Sequence, residues 1–381
     1  MKRIYQLDDY QRFAAARIPR VAFDYVSGGA GSEAALRRNQ DAFDQTTLAP
    51  RVLRRCEPRS TATNLLGQQY AVPFGIAPMG LANLVWPGSD SALARAARRN
   101  NLPFTLSTAA STSVEEIGAI AAPMLWFQLY VGRDAAITWD LMRRARAAAV
   151  DTLVVTLDAA APGKRLRDLR NGFTLPLKPT WRTLLDIASR PSWCLATLRA
   201  GAPRFANLES YGEKRASSVA IAQFMAEQAS ARLDWHLLGE IRRRWPGKLI
   251  LKGLLHPQDA MRAIESGVDA IIVSNHGGRQ LNCAVAPLAA LPAIRRAVGA
   301  TATLLLDGGV RTGEAVIIAI ATGADFVLIG RPFLYCVAAR GAEEGPEEAI
   351  RILTDEIDRA LAHVGFADIG ALRAARQELL A

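Results

Sequence analysis

From about residue 70 onward the chain alternates short apolar runs with longer stretches that carry one polar and one apolar face. The apolar runs are Pro73–Ala77, Phe104–Ser107, Leu125–Leu129, Thr152–Leu157, Leu249–Lys252, Ala270–Ser274, Thr303–Leu306 and Phe326–Ile329. A continuous apolar run of this length suits a parallel strand covered on both faces. The intervening Asp90–Asn100, Asp134–Ala149, Leu233–Trp245, Pro257–Ser266 and Gly313–Thr322 read as amphipathic helices. Eight strand–helix repeats predict an α/β fold, a (β/α)8 TIM barrel over residues 71–370. The rival, a doubly wound sheet, would need a Gly-x-Gly-x-x-Gly turn after an early strand, and none is present.

Two stretches fall outside the rhythm of what is read as one domain, 1–381. Residues 1–70 form a leader with helical signals at Leu7–Arg17 and Ser32–Phe43. Residues 159–232 form an insertion after the fourth strand, and a connection that long inside a barrel is usually functional. Barrels place chemistry on the loops that follow the strands, so strand ends are where to look.

Composition narrows the class. Half of the 381 residues are hydrophobic and 22% are charged, which supports a packed core and excludes disorder. Four scattered cysteines form no Cys-x-x-Cys pair and the four histidines are scattered too, so metal-ligand spacing is missing and a reducing cytoplasmic setting fits. The N-terminus turns acidic at Asp8-Asp9 before an apolar run forms, unlike a signal peptide. No apolar stretch reaches the roughly 18 residues a membrane span needs. A net charge of +10 leaves nucleic acid, an anionic membrane surface and anionic small molecules open.

The seventh and eighth strands are followed by Asp307-Gly308-Gly309-Val310-Arg311 and Gly330-Arg331-Pro332. Glycines let backbone N–H groups approach an anion, and each loop adds an arginine; together they predict the usual phosphate site of a barrel, although either alone is an ordinary tight turn. The sixth strand ends in Ser274-Asn275-His276-Gly277-Gly278-Arg279-Gln280-Leu281. A histidine three residues before an arginine offers a base beside a carboxylate clamp. A core histidine is a poor reading beside Gly-Gly-Arg. Ser107, Gln128 and Thr156 could hydrogen-bond the edge of a planar heterocycle, or could be turn residues. Asp158 suits the orientation of a histidine. Lys252, ending the fifth strand, would need an anionic partner.

The Ser274–Leu281 block, with Phe127-Gln128-Leu129-Tyr130 and Asp307-Gly308-Gly309-Val310-Arg311, resembles the FMN-dependent 2-hydroxy acid dehydrogenase/oxidase family over nearly the whole chain. The resemblance implies that FMN is the cofactor and an L-2-hydroxy acid the substrate. It implies His276 as base with Asp158 as its partner. Arg165, Arg279 and Tyr25 would hold the substrate carboxylate, and Tyr130 the reacting hydroxyl. Pro78, Met79, Gly80, Ser107, Gln128, Thr156, Lys252 and Ser274 would surround the ring, and Asp307, Gly308, Gly309, Arg311, Gly330 and Arg331 the phosphate end. Whether His276 takes the C2 proton or the hydroxyl proton stays open.

Ala109 stands where related glycolate oxidases carry a bulky Trp, and Gly80 adds room, so an aromatic acid is expected. Leu84-Val85-Trp86-Pro87 and Asp355–Arg359 resemble the mandelate dehydrogenase branch, which implies (S)-mandelate oxidised to benzoylformate; lactate is the alternative. Within the insertion, Lys164, Arg165, Arg167, Arg170, Lys178, Arg182, Arg190, Arg199 and Arg204 are interleaved with Trp181, Trp193, Leu184, Leu185, Ile187, Leu195 and Leu198. This pattern predicts that 178–208 lies on an anionic membrane, at the cytoplasmic face of the plasma membrane, with electrons passing to quinone. A solvated basic loop is the alternative, and no nucleic-acid motif accompanies the charge. A homo-oligomer, a tetramer by resemblance, is expected. The rivals are a soluble oxidase that uses oxygen, a barrel synthase or isomerase acting on a phosphorylated substrate, and a non-catalytic flavin-binding protein.

Overall fold

The computed structural model describes residues 3–173, 180–211 and 233–380. A short antiparallel hairpin, β1 (Thr63–Leu65) and β2 (Gln68–Tyr70), precedes the barrel. The barrel strands are β3 (Phe74–Ile76), β4 (Phe104–Ser107), β5 (Leu125–Leu129), β6 (Thr152–Thr156), β7 (Lys248–Leu254), β8 (Ala270–Val273), β9 (Leu304–Asp307) and β10 (Phe326–Ile329). They close in chain order, all parallel, with β10 pairing back to β3. The expected (β/α)8 barrel is the fold, and each apolar run matches one strand.

Side chains alternate between the two sides of each strand. Trp126, Val154, Ile250, Ile272, Leu305, Phe326 and Leu328 form one cluster, to which the hairpin contributes Leu65 and Tyr70. The Tyr70 ring packs edge-on against Trp126 and tilts onto Phe326, both near the starts of their strands. The hairpin thus plugs the N-terminal mouth, and the C-terminal mouth is left for chemistry. The strands' opposite faces pack under the helical shell. Its helices begin at ordinary caps: Asp134, Asp234 and Thr312 each accept a first-turn backbone N–H, while Pro257 and Pro287 occupy the first turn of theirs.

Lys252 does not end its strand. β7 runs on to Leu254 with a register shift between Lys252 and Leu254, around Gly253. Glycine weakens a strand pattern, which hid this continuation, and it marks a bulge here. The leader contains Leu7–Arg17 and Ala34–Asp44, close to expectation, and also Arg20–Ser27, which starts directly after Pro19.

Of the insertion, residues 174–179 and 212–232 lie outside the described residues, so Lys178 and Pro179, at the start of the expected membrane segment, are not located. The described part holds helices Leu166–Arg170, Trp181–Ala188 and Pro191–Ala200. Trp181, Leu184, Leu185, Leu195 and Leu198 are exposed, Trp181 at 66% and Leu198 at 80%. Trp193 corrects the expectation: it is buried, and its indole N–H donates to the carbonyls of Leu84 and Val85. Ile187 likewise packs against the core. Composition cannot say which face of a helix a tryptophan takes. Among the described residues no helix is long and apolar enough to cross a membrane.

Candidate active site

The segment that leaves β8 takes an unusual path. His276, Gly277 and Gly278 have φ values of 58°, 62° and 74°, three successive residues in the left-handed region. Glycine adopts this freely, whereas histidine there is strained. A Cβ on Gly278 would stand 2.6 Å from the backbone nitrogen of Leu36. Hydrogen bonds hold the turn on every side. His276 N donates to Ser274 Oγ (3.0 Å), Gly278 N to Asn275 Oδ1 (3.0 Å) and Ala30 N to Gly278 O (2.9 Å). The buried amides of Asn275 and Asn39 pair reciprocally at 2.8 and 2.7 Å.

This path turns the imidazole towards Asp158, with His276 Nδ1 2.8 Å from Asp158 Oδ1. Burial opposes ionisation of Asp158, but His276 and Lys252 beside it more than offset that and hold its carboxyl below the usual range. An ionised carboxylate only accepts hydrogen bonds, so Nδ1 carries a proton and Nε2 keeps its lone pair when the ring is neutral. The Tyr130 hydroxyl lies 3.4 Å from that Nε2. Burial pushes the Tyr130 phenol up, so it remains a donor. Gly253 makes room for the arrangement: its φ is 107°, and a Cβ there would stand 2.6 Å from Asp158 Cγ. Lys252 is buried, with Nζ 2.9 Å from both Asp307 Oδ2 and Ser274 Oγ. Burial disfavours its charge, and Asp307 with Asp158 outweighs that, raising its pKa.

These groups surround a cavity of about 530 Å³ at the C-terminal mouth. Tyr25, Gly80, Ala109, Tyr130, Arg165, His276 and Arg279 line it, as do Pro78, Met79, Ser107, Thr156 and Lys252. The phosphate-loop residues Asp307, Gly308, Gly309, Arg311, Gly330 and Arg331 line it too. Three expected residues stand one layer back. Asp158 and Ser274 lie behind His276 and Lys252, and Gln128 accepts from the Ser107 hydroxyl at 2.8 Å. Arg165 spends its Nε on Asp168 (2.7 Å), and Arg279 one terminal nitrogen on the carbonyls of Tyr25 and Gly28. The Arg331 side chain donates to the carbonyls of Val26, Gly277 and Gly28, so this guanidinium braces the turn beside the cavity it lines.

Several polar groups here await a partner. Arg279 and Arg331 have no carboxylate within ion-pair distance among the described residues, and removal from water pushes Arg331 down to about 9. Gln128 Nε2, Thr156 Oγ1 and Asp307 Oδ1 are buried and unpaired. Such groups are normally satisfied, and the guanidinium groups without carboxylate partners favour an anionic ligand with further polar groups.

The model of the FMN-dependent dehydrogenase family matches residues 14–378. The chain belongs to this family. It is 39% identical over 372 residues to (S)-mandelate dehydrogenase of Pseudomonas putida, covering 97% of this chain and 93% of that one. It is 38% identical over 365 residues to an L-lactate dehydrogenase of Caulobacter vibrioides, covering 96% and 95%. A solved structure of monotopic membrane protein (S)-mandelate dehydrogenase superposes with a TM-score of 0.94 at 38% identity, covering 99% of each chain. The protein is therefore an FMN-dependent 2-hydroxy acid dehydrogenase, which sets aside the synthase, isomerase and non-catalytic readings. The orphaned donors and acceptors fit FMN: the glycine loops and arginines suit its phosphate, and the unpaired polar atoms its ring edge and ribityl chain.

Sequence reasoning missed Asn39 and Gly253. Each acts on a residue distant in the chain, and neither sits in a local pattern that announces it. Gly253→Ala should destabilise the fold by about 1–3 kcal/mol in denaturant titrations. It should also displace Asp158 and lower kcat, whereas an unchanged midpoint and kcat would contradict the steric reading.

Proposed function

We propose that the enzyme oxidises (S)-mandelate to benzoylformate and passes the electrons to a membrane quinone. The observation that carries the substrate is the meeting of Gly80 and Ala109. A Cβ on Gly80 would stand 3.2 Å from the Ala109 Cβ and 3.6 Å from the Tyr25 hydroxyl, so two positions almost without side chain form one wall of the cavity. An aromatic side chain fits where bulkier residues would exclude it. The relatives' printed activities, on mandelate and on lactate, bracket the choice.

Bound FMN supplies the two-electron acceptor, and the chain supplies the rest. Arg165 and Arg279 clamp the substrate carboxylate, which fixes the hydroxyl-bearing carbon near His276. His276 Nε2 takes the proton, and Asp158 stabilises the imidazolium that results. Tyr130 donates to the substrate oxygen, and Tyr25 shapes the wall. Lys252, Ser107 and Thr156 would meet the polar edge of the ring, with Gln128 and Ser274 supporting them from behind, and Pro78, Met79 and Gly80 would flank it. The loops of Gly309, Arg311, Gly330 and Arg331 would hold the phosphate.

The exposed face of Trp181–Ala188 and Pro191–Ala200 supports a peripheral membrane site. It combines large apolar side chains with the exposed Arg182 and Arg199, while Arg190 turns inward to donate to the Ala16 carbonyl. The monotopic neighbour's description agrees with this reading. The cytoplasmic face and a tetrameric assembly belong to the same proposal.

His276→Gln should lower kcat by about 10³-fold or more with flavin absorbance retained. A loss under about tenfold would remove His276 from the base role. In a screen of (S)-mandelate, L-lactate and glycolate, mandelate should give the highest kcat/KM; Ala109→Trp should reverse the order towards glycolate. Faster turnover of glycolate by the unaltered enzyme would overturn the pocket argument, and hydrogen peroxide in place of quinone reduction would make it an oxidase. Replacing Trp181, Leu184, Leu185, Leu195 and Leu198 together by Ser should abolish sedimentation with anionic vesicles and leave dye-linked turnover intact. Unchanged sedimentation would sink the membrane proposal.

A further inference from the structure

The loop after β4, residues 107–114, is gripped from outside the barrel by two buried side chains. Asp90, in the first turn of the helix Ser89–Arg99, accepts the backbone N–H groups of Ser111 (2.9 Å) and Thr112 (3.1 Å) with one carboxylate oxygen. Asn207, from the insertion, spans the loop: its Oδ1 accepts from Val114 N (2.8 Å) and its Nδ2 donates to Ser107 O (3.2 Å). The neighbouring Ala206 N donates to Ala110 O at 3.2 Å, and Arg144 holds the Asn207 carbonyl at 2.7 Å.

What the loop carries makes the grip consequential. Ala109 forms the cavity wall, and its carbonyl accepts from Leu81 N (2.9 Å), which fixes it beside Gly80. The Ser107 hydroxyl orients Gln128, and Thr108 Oγ1 accepts from Tyr130 N at 3.2 Å. Three contributions, to pocket width, ring edge and the Tyr130 hydroxyl, thus hang on one short segment. Neither clamp residue lines the cavity.

We propose that Asp90 and Asn207 are positioning residues that set acid specificity and flavin affinity through the 107–114 loop. The specificity half rests on the reading of Ala109 as the acid-facing wall; the flavin half does not. Because Asn207 comes from the insertion, the segment proposed to meet the membrane also builds the active site. An excision reaching Asn207 would perturb both at once.

The experiment compares Asp90→Ala, Asn207→Ala, Asp90→Asn and Asn207→Asp with the unaltered flavoprotein. It measures kcat/KM for (S)-mandelate and L-lactate, the FMN dissociation constant by flavin fluorescence, and thermal midpoints. A loop shifted by a fraction of an ångström should change the mandelate-to-lactate ratio about tenfold in both alanine variants. FMN binding should weaken by about tenfold as the Ser107–Gln128 edge moves, equivalent to about 1.4 kcal/mol. Asp90→Asn keeps an acceptor oxygen and should stay within about threefold of the unaltered ratio. Asn207→Asp keeps the acceptor but loses the donor to Ser107, so it should weaken FMN; it decides the matter if the alanine variants do not fold. Lower midpoints with an unchanged ratio and unchanged FMN affinity would overturn the proposal. Should the unaltered enzyme turn over neither acid, the substrate reading falls, and the FMN constants still test the clamp.

Discussion

Much of this structure depends on three consecutive left-handed residues after β8. His276 at φ 58° is strained on its own, by about 1–3 kcal/mol for a non-glycine residue in that region. The strain persists because neighbours over-determine it. Asn275, paired with Asn39, holds the turn from one side, and Arg331 donates to the Gly277 carbonyl from another. The return is geometric: the turn carries the imidazole from the strand end to Asp158 and leaves Nε2 beside Tyr130. It also explains the leader, whose helix Ala34–Asp44 packs against the turn so closely that only glycine fits at 278. Residues that sequence order places outside the barrel thereby brace the turn behind its site.

Charge is distributed by the same logic. Lys252 and Asp307 neutralise each other at 2.9 Å, and Asp158 adds a second negative charge nearby. Arg279 and Arg331 are arranged in the opposite way, against backbone carbonyls rather than carboxylates. Carbonyl oxygens orient a guanidinium without cancelling its charge, so the positive potential survives in a site shielded from water, where it acts most strongly. An isolated pair of such charges is costly to bury, and that cost is what an anionic ligand would offset on binding.

The sequence made the frame readable because strand identity is a local property. Apolar runs and the glycine-rich strand ends located the eight strands, and the residue types at their ends placed His276, Arg279 and Lys252 in the cavity. What stayed hidden depends on contacts between distant segments. Asn39 meets Asn275 across 236 positions, and Asn207 meets Ser107 across 100. Gly253 looked like the end of a strand because its purpose, clearing space for Asp158, lies in a neighbouring strand's loop. Trp193 was misread for a related reason: a residue list gives the content of an amphipathic segment, not the direction each side chain takes.

The insertion shows why that direction matters. Its outward side presents Trp181, Leu184, Leu185, Leu195 and Leu198, while its inward side is bonded to the barrel's working parts. Trp193 donates to the carbonyls at 84 and 85, just after the Gly80 wall. Asp186 accepts the Arg20 N–H at the start of the helix that carries Tyr25, a favourable place for a carboxylate at a helix N-terminus. Asn207 completes the set at the 107–114 loop. Short exposed helices gain little stability from propensity alone and depend on what they pack against. The contacts that hold this apolar face outward are therefore the same ones that brace the 107–114 loop and the helix carrying Tyr25. A change on the outer side of these helices is thereby transmitted to the loops that line the cavity, because the same short elements carry both faces.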